Sequence, residues 1–292
     1  MYGRPGVARG VMYRLVSPCV STLTTWRFLF LCDPQKQLVR RVTAHHKAVR
    51  CLGLTDDLSF LLSGGDDAVL SVWPVVDLVD VDDTSDAAVR EFHSWTDHLL
   101  GVTSVHVGRG GVQARVFSAS LDRTARIFEI FSRQLLYTVS CGTFLTSVVA
   151  SPDEAWLFLG MGDGAITAVD LLTAAAQTFA SGGDVVMETG QTRSHMTGHS
   201  QAITGFVFVE HATMLISASE DGTVRVWDLQ SKQCVNTTDM KSPVTCIARA
   251  EYFDPMMLSA AKATPERNFV PIPPLRKYVT NRSSGGAAGG SL

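Results

Sequence analysis

The chain has 292 residues, 46% of them apolar and 18% charged, with a net charge of −3, enough apolar material to bury a large globular core. That charge is too small to draw in nucleic acid or a membrane surface by its field alone, and no apolar run approaches the roughly 20 residues of a bilayer span. Six cysteines, at positions 19, 32, 51, 141, 234 and 246, include no Cys-x-x-Cys pair, which argues against a zinc site and a dense disulfide framework and fits a reducing, intracellular compartment.

In chain order, residues 1–37 carry Arg4, Arg9 and Arg14, but Ser21 to Arg27 interrupts any apolar stretch of a secretory signal. Only Trp26 and the run Phe28-Leu-Phe-Leu read as a strand there, the end of a preceding unit. From Leu38 a fixed grammar begins. Ala44-His45 is followed by Leu61-Leu-Ser-Gly-Gly-Asp-Asp-Ala-Val-Leu-Ser-Val-Trp73, with Asp67 six residues before Trp73. An acidic insertion, Asp77 to Asp97, follows; it reads as a solvated loop, the alternative being a dock for a basic partner segment.

The grammar returns with His98 and Val116-Phe-Ser-Ala-Ser-Leu-Asp-Arg-Thr-Ala-Arg-Ile-Phe128, where Asp122 keeps its place and an aromatic replaces tryptophan. Leu157 to Asp170 keeps only Asp163 and the closing Val169-Asp170, so its side-chain network is expected to be missing. Ala174 to Ser194 is small and polar and reads as a flexible excursion. The fullest copy is Gly198-His199 with Ile216-Ser-Ala-Ser-Glu-Asp-Gly-Thr-Val-Arg-Val-Trp227-Asp228. The marker aspartates Asp67, Asp122, Asp163 and Asp221 stand 55, 41 and 58 residues apart; a unit of about 40–45 residues places the insertions in the two long intervals. Lys232 to Ala250 reads as an outer strand leading into a further inner one, Pro243-Val-Thr-Cys-Ile-Ala. Residues 251–292 are rich in proline, then glycine, and read as a disordered tail.

Within a unit, Ile203, Phe206 and Phe208, then Leu215, Ser217 and Ser219, then Val224, Val226 and Leu229 give three β-favouring runs separated by turns. Asp221-Gly222 predicts a two-residue primed hairpin. His199, Ser217, Asp221 and Trp227 are expected to converge as a chain from indole to hydroxyl to imidazole to carboxylate. His45, Ser63, Asp67 and Trp73 form a second such set, and His98, Ser118 and Asp122 a shorter third. A Gly-His opening, a Ser-x-Ser strand, an Asp-Gly turn and a closing Trp-Asp at this spacing resemble a WD repeat of a β-propeller.

The expected fold is therefore an all-β WD-repeat β-propeller over residues 38–250, with about four to five recognisable blades. Seven blades of about 40 residues need roughly 280. The ring is expected to be incomplete and the chain a fragment or truncated gene model of a larger propeller, which a closed compact ring would refute.

The Ser-Gly-Gly-x-Asp blade ending at Trp73, the Trp95-Thr-Asp-His98 lead-in, the Ala119-Ser-Leu-Asp-Arg-Thr-Ala-Arg-Ile-Phe blade, the Gly160-Met-Gly-Asp-Gly blade and Val226-Trp-Asp-Leu-Gln-Ser-Lys-Gln-Cys-Val235 resemble the WD repeat-containing protein 18 family over about residues 38–250. That resemblance implies a scaffold of the rixosome in the nucleolus and nucleoplasm. Its implied partners are Pelp- and Tex-type scaffold proteins, a midasin-type ATPase and pre-ribosomal particles, and its implied task is maturation of the large ribosomal subunit and its internal spacer RNA. Two departures stand out: the family's first blades are unmatched, and the tail has no counterpart of the family's C-terminal helical segment for self-association. The alternative function is a WD-repeat adaptor of a ubiquitin ligase or signalling complex, carried only by the shared fold.

No enzyme is expected. Ser217, His199 and Asp221 have the residue types of a hydrolase triad, but the same types recur about Ser63, and repetition is what a structural network predicts. Gly-x-Ser-x-Gly and P-loop patterns are missing. His45-His46 lacks a third ligand in sequence reach, so neither metal nor cofactor is expected, nor sequence-specific nucleic-acid binding. By repeat geometry His46, Lys47, Asp66, Arg123 and Glu220 are the candidate partner-binding positions, the alternative being ordinary solvated turn residues.

Overall fold

The computed structural model describes residues 11–14, 21–25, 28–32, 38–79, 90–172, 186–187, 193–209 and 213–247, all within the first of two units, Met1–Arg249. Short β-favouring runs between turns build strands and almost no helix, as a chain of blades requires. Among the described residues no helix is long and apolar enough to cross a membrane.

Five consecutive sheets form, antiparallel but for one short parallel pairing. Sheet one is β1 (Val11–Arg14), β2 (Ser21–Thr25), β3 (Phe28–Cys32) and β4 (Leu38–Thr43). Sheet two is β5 (Val49–Leu54), β6 (Phe60–Gly65) and β7 (Leu70–Pro74), then, after the one-turn helix α1 (Val75–Val79), β8 (His93–Trp95). Sheet three holds β9 (Val102–Val107), β10 (Arg115–Ser120), β11 (Thr124–Glu129) and β12 (Leu135–Ser140). In sheet four β13 (Leu145–Ala150), β14 (Trp156–Met161) and β15 (Ile166–Asp170) come first. Next in sequence is β16 (Val186–Met187), which pairs in parallel with Thr138 and Val139 as a fifth strand of sheet three. β17 (Arg193–Met196) then completes sheet four. Sheet five is β18 (Ile203–Val209), β19 (Met214–Ser219), β20 (Thr223–Asp228) and β21 (Gln233–Asp239).

Sequence and structure differ in where strands form. Residues 1–37 were expected to hold at most one closing strand, yet three of the four strands of sheet one lie there; none carries the His, Ser, Asp and Trp markers that make the other blades legible. The second insertion contributes β16 and β17, the rest of it lying outside the described residues. Pro243–Ile247, expected as an inner strand, forms none, although the Val244 N–H donates to the Ser219 carbonyl at 3.2 Å. Residues 80–89 of the acidic insertion, and the tail at 251–292, lie outside the described residues; the ends of that insertion, expected as a solvated loop, lie in α1 and β8.

The core is a series of layers between neighbouring sheets. Leu29 and Val42 of sheet one meet Leu52, Leu61 and Trp73 of sheet two, and Leu62, Val72 and Trp95 meet Val116, Phe128 and Ile130 of sheet three. Phe117, Ile127 and Val139 meet Leu145, Leu157 and Val169 of sheet four, and Phe158, Ile166 and Met196 meet Ile203, Leu215 and Trp227 of sheet five. The inner strands β5, β9, β13 and β18 pack side by side in that order. Close approach there demands small residues: a Cβ on Gly160 would stand 2.7 Å from the Ile203 Cβ.

Each of these inner strands carries a bulge at its second residue, at Arg50, Thr103, Thr146 and Thr204. A bulge re-aims its side chain, and in sheets three and four it turns a threonine onto the next sheet. Thr103 Oγ1 lies 2.9 Å from the Leu145 carbonyl and Thr146 Oγ1 2.7 Å from the Ile203 carbonyl, so each hydroxyl can donate across the layer. Thr204 Oγ1 is buried without an acceptor among the described residues.

Candidate interaction surface

The repeat markers meet at one end of sheets two, three and five, where the middle hairpin turns and the chain leads into the inner strand. In sheet five the Trp227 indole N–H donates to Ser217 Oγ at 2.8 Å. The Ser217 hydroxyl lies 2.7 Å from His199 Nε2, and His199 Nδ1 lies 3.1 Å from Asp221 Oδ2. A proton on Nδ1 satisfies the whole chain, from indole to hydroxyl to imidazole to carboxylate. Asp221 also accepts the Ser200 N–H at 3.0 Å and the Thr223 N–H and hydroxyl at 2.8 and 2.7 Å. The carboxylate thus ties the lead-in loop to the turn.

Sheet two repeats this. Trp73 Nε1 is 2.9 Å from Ser63 Oγ, Ser63 Oγ is 2.8 Å from His45 Nε2, His45 Nδ1 is 3.0 Å from Asp67, and the His46 N–H donates to Asp67 at 2.8 Å. In sheet three His98 joins Ser118 at 2.7 Å and Asp122 at 3.0 Å. Phe128 replaces the tryptophan, fully buried and stacked 4.7 Å from Trp95. In sheet four Cys141, Leu159 and Val169 hold the positions of histidine, serine and tryptophan, and all three are buried in one apolar layer. There a hydrophobic contact replaces the polar chain, and Asp163 accepts the Ala165 N–H at 3.0 Å.

Burial alone would raise the carboxyl pKa of Asp221, but the N–H of Ser200, the Thr223 hydroxyl and N–H, and His199 outweigh it and hold the group well below the usual carboxylate range. Asp122 is held low against burial by His98 and Thr124, and Asp67 by the His45 charge and the His46 and Val69 N–H groups. For His199 burial wins over the pull of Asp221, so its pKa falls. In sheet five the His199 imidazole is therefore the neutral link and the Asp221 carboxylate the ionised one.

The turn itself departs from the primed hairpin expected. The Gly222 N–H donates to the Ser219 carbonyl at 3.3 Å, and of the Asp-Gly pair only Gly222 has positive φ, at 81°. That is a turn followed by one left-handed residue, because the aspartate must keep negative φ to aim its carboxylate at the lead-in loop. The same left-handed place is taken by Ala68 and Arg123, each at φ 67°, and by Gly164 at 87°.

A nucleophilic serine needs access to substrate. Ser217 and Ser63 are both fully buried, each taking an indole N–H on its oxygen. The His, Ser and Asp groups hold blades together and offer no place for a reacting carbonyl. Among the described residues no three metal-ligating side chains cluster.

Of the candidate partner-binding residues, His46, Lys47, Arg123 and Glu220 are exposed at the turn end of their sheets, while Asp66 is half-buried and paired with Arg50 Nε at 2.7 Å. Sequence reasoning missed Arg50, which takes the bulge position held elsewhere by threonine. It also missed the apolar members of this end: Leu99 is 83% exposed and Phe144 44%, with Leu100 and Leu121 exposed beside them in sequence and turn position. Leu121 stands where Asp66 and Glu220 stand, so aligning the turns would have found it. Exposed aliphatic and aromatic groups on rigid turns have the chemistry of a protein-binding rim.

Comparison with known proteins matches the two sheets that carry the full tryptophan network: the WD40 family model (WD domain, G-beta repeat) fits residues 36–74 and 190–228. The chain carries WD repeats. Within the WD-repeat proteins its resemblance to the WD repeat-containing protein 18 family extends beyond the motifs. The protein of that name from Bos taurus is 33% identical over 246 residues, 84% of this chain and 54% of that protein. Pre-rRNA-processing protein IPI3 of Yarrowia lipolytica is 34% identical over 203 residues, 68% of this chain and 46% of that protein. Pre-rRNA-processing protein pro-1 of Caenorhabditis briggsae is 24% identical over 248 residues, 84% of this chain and 44% of that protein. The chain spans about half the length of the curated relatives it matches.

Proposed function

We propose that this WD-repeat chain is a non-catalytic scaffold of ribosome biogenesis, serving pre-rRNA processing and large-subunit maturation within a rixosome-like complex of the nucleolus and nucleoplasm. The observation that carries this is the likeness to two proteins named for pre-rRNA processing, one of them 34% identical over 68% of the chain. The hydroxyls and imidazoles of the three His-Ser-Asp networks are buried inside the blades, and the exposed turn-end residues are the surface that supports recognition. Its partners would be rixosome-like scaffold proteins, a midasin-type ATPase and pre-ribosomal particles, met through the turn-end rim of His46, Lys47, Arg123 and Glu220 with Leu99, Leu121 and Phe144.

Affinity purification of the tagged chain from its own cells, with mass spectrometry and northern analysis of spacer-containing pre-rRNA, tests this. Co-purification of large-subunit precursors, lost when Leu99 and Phe144 are changed to Ser in a chain that still melts cooperatively, is the expected result. Recovery of a cullin-type ligase without ribosomal proteins would overturn it.

A further inference from the structure

The layers between sheets are filled unequally. Between sheets two and three, Phe92 packs on Phe60 with ring centroids 5.0 Å apart, and the Arg133 guanidinium lies 4.4 Å from the Phe92 centroid. Phe92 rests on the buried layer that contains Leu62, Val72, Trp95 and Ile130.

Counting from the marker aspartates gives each of these residues a counterpart between sheets four and five. Phe60 and Trp156 both stand seven residues before their aspartate, Leu62 and Phe158 five before, and Val72 and Ala168 five after. Ile130 and Leu229 stand eight after, Arg133 and Lys232 eleven after. Trp95 and Met196 hold the same strand place, opposite Leu70 and Ile166 respectively. Around Trp156, Phe158, Ala168, Met196, Leu229 and Lys232 the structure has a cavity of about 260 Å³. The place of Phe92, three residues before Trp95, corresponds to Arg193, three before Met196. Trp156 and Lys232 both reach the surface, with the Lys232 ammonium 5.8 Å from the Trp156 ring centroid.

We propose that this socket receives an aromatic side chain of a partner protein, a phenylalanine or tyrosine seated where Phe92 sits between sheets two and three. The ring would lie on the Trp156 indole with the Lys232 ammonium beside it, as Phe92 lies on Phe60 beside Arg133. An aliphatic side chain could fill the same volume, but the ammonium favours a ring, whose face is negative. The inference stands on the repeat geometry and is independent of the ribosome-assembly proposal, since it names the chemistry of the contact at a different end of the sheets.

The test uses the full ¹⁵N-labelled chain, titrated separately with N-acetyl-phenylalanine amide and N-acetyl-leucine amide. The readout is the Trp156 indole N–H resonance, identified by Trp156→Phe. The expected result is a saturable shift with the phenylalanine probe and about three- to fivefold weaker binding of the leucine probe. Lys232→Met should bring the two probes to equal affinity. Equal binding of the two probes by the unaltered chain, or no saturable shift, overturns the proposal. So does a shift that appears only after Phe179→Ala, which would mean that the chain's own insertion fills the socket.

Discussion

At the scale of single residues, Asp221 and Asp163 occupy the same turn position but carry different loads. Asp221 joins His199, the Ser200 N–H and both donors of Thr223, whereas the contact seen for Asp163 is the Ala165 N–H. Asp221→Ala leaves several partly buried donors unpaired and should cost about 1–3 kcal/mol; Asp163→Ala, at an exposed turn, should stay within about 0.5 kcal/mol. Urea unfolding of the two variants checks this, and equal losses would deny the network its role. The residue after the aspartate gives a second prediction. Ala68 and Arg123 sit at positive φ where sheets four and five use glycine. A left-handed non-glycine residue costs about 1–2 kcal/mol, partly returned by glycine's greater freedom when unfolded. Ala68→Gly and Arg123→Gly should therefore each stabilise by about 0.5–1 kcal/mol, read as a raised urea midpoint at unchanged slope.

At the scale of elements, the bulged threonines Thr103 and Thr146 latch the inner strands of sheets three and four to the next sheet. Thr146 can donate to the Ile203 carbonyl, so Thr146→Val should cost about 1 kcal/mol, while Thr204, buried without an acceptor among the described residues, should tolerate valine with no loss. Thermal melting of the pair decides it, and equal losses would mean that the hydroxyls do not latch. These latches also mark how far the sequence could be read. His199, Ser217, Asp221 and Trp227 were legible because four residue types at fixed spacing recur about Ser63, and a network needs all of them at once. Sheet one was not, since its strands lack those markers and a β-run alone does not say what it pairs with. Nor were the bulges, the left-handed turn residue or Arg50: each depends on how two strands register, which spacing along one strand does not encode. The exposed Leu121 and Phe144 were hidden for a different reason, because an apolar residue next to a strand reads as core until its turn is placed.

At the scale of the whole molecule, each sheet rests on the one before it through a single apolar layer, so stability is shared along a row and loss in one layer is felt by its neighbours. Buried and half-buried titratable groups recur along that row, which makes acid a global perturbant. Burial lowers the pKa of His199 from its ordinary 6.5, and pushes His106 down to about 4. For both, the unfolded chain binds a proton at a pH where the folded chain does not. Their contribution is complete above about pH 6.5 and is lost as pH falls through the folded values. Asp67, Asp122 and Asp221 are held below the ordinary carboxylate range; what they contribute is present above about pH 4 and disappears as pH falls through their depressed values. The unfolding free energy should accordingly be flat between about pH 7 and pH 8, fall from there to about pH 4 as the histidines are called on to charge, and fall again below that as the turn carboxylates protonate. His106→Phe should flatten part of the first decline without touching the second, and Asp122→Asn should weaken the second while lowering stability at neutral pH. Urea titrations from pH 8 to pH 3 measure both stages, and a free energy unchanged between pH 7 and pH 5 would mean that the buried imidazoles take up protons in the folded chain as readily as in the unfolded one.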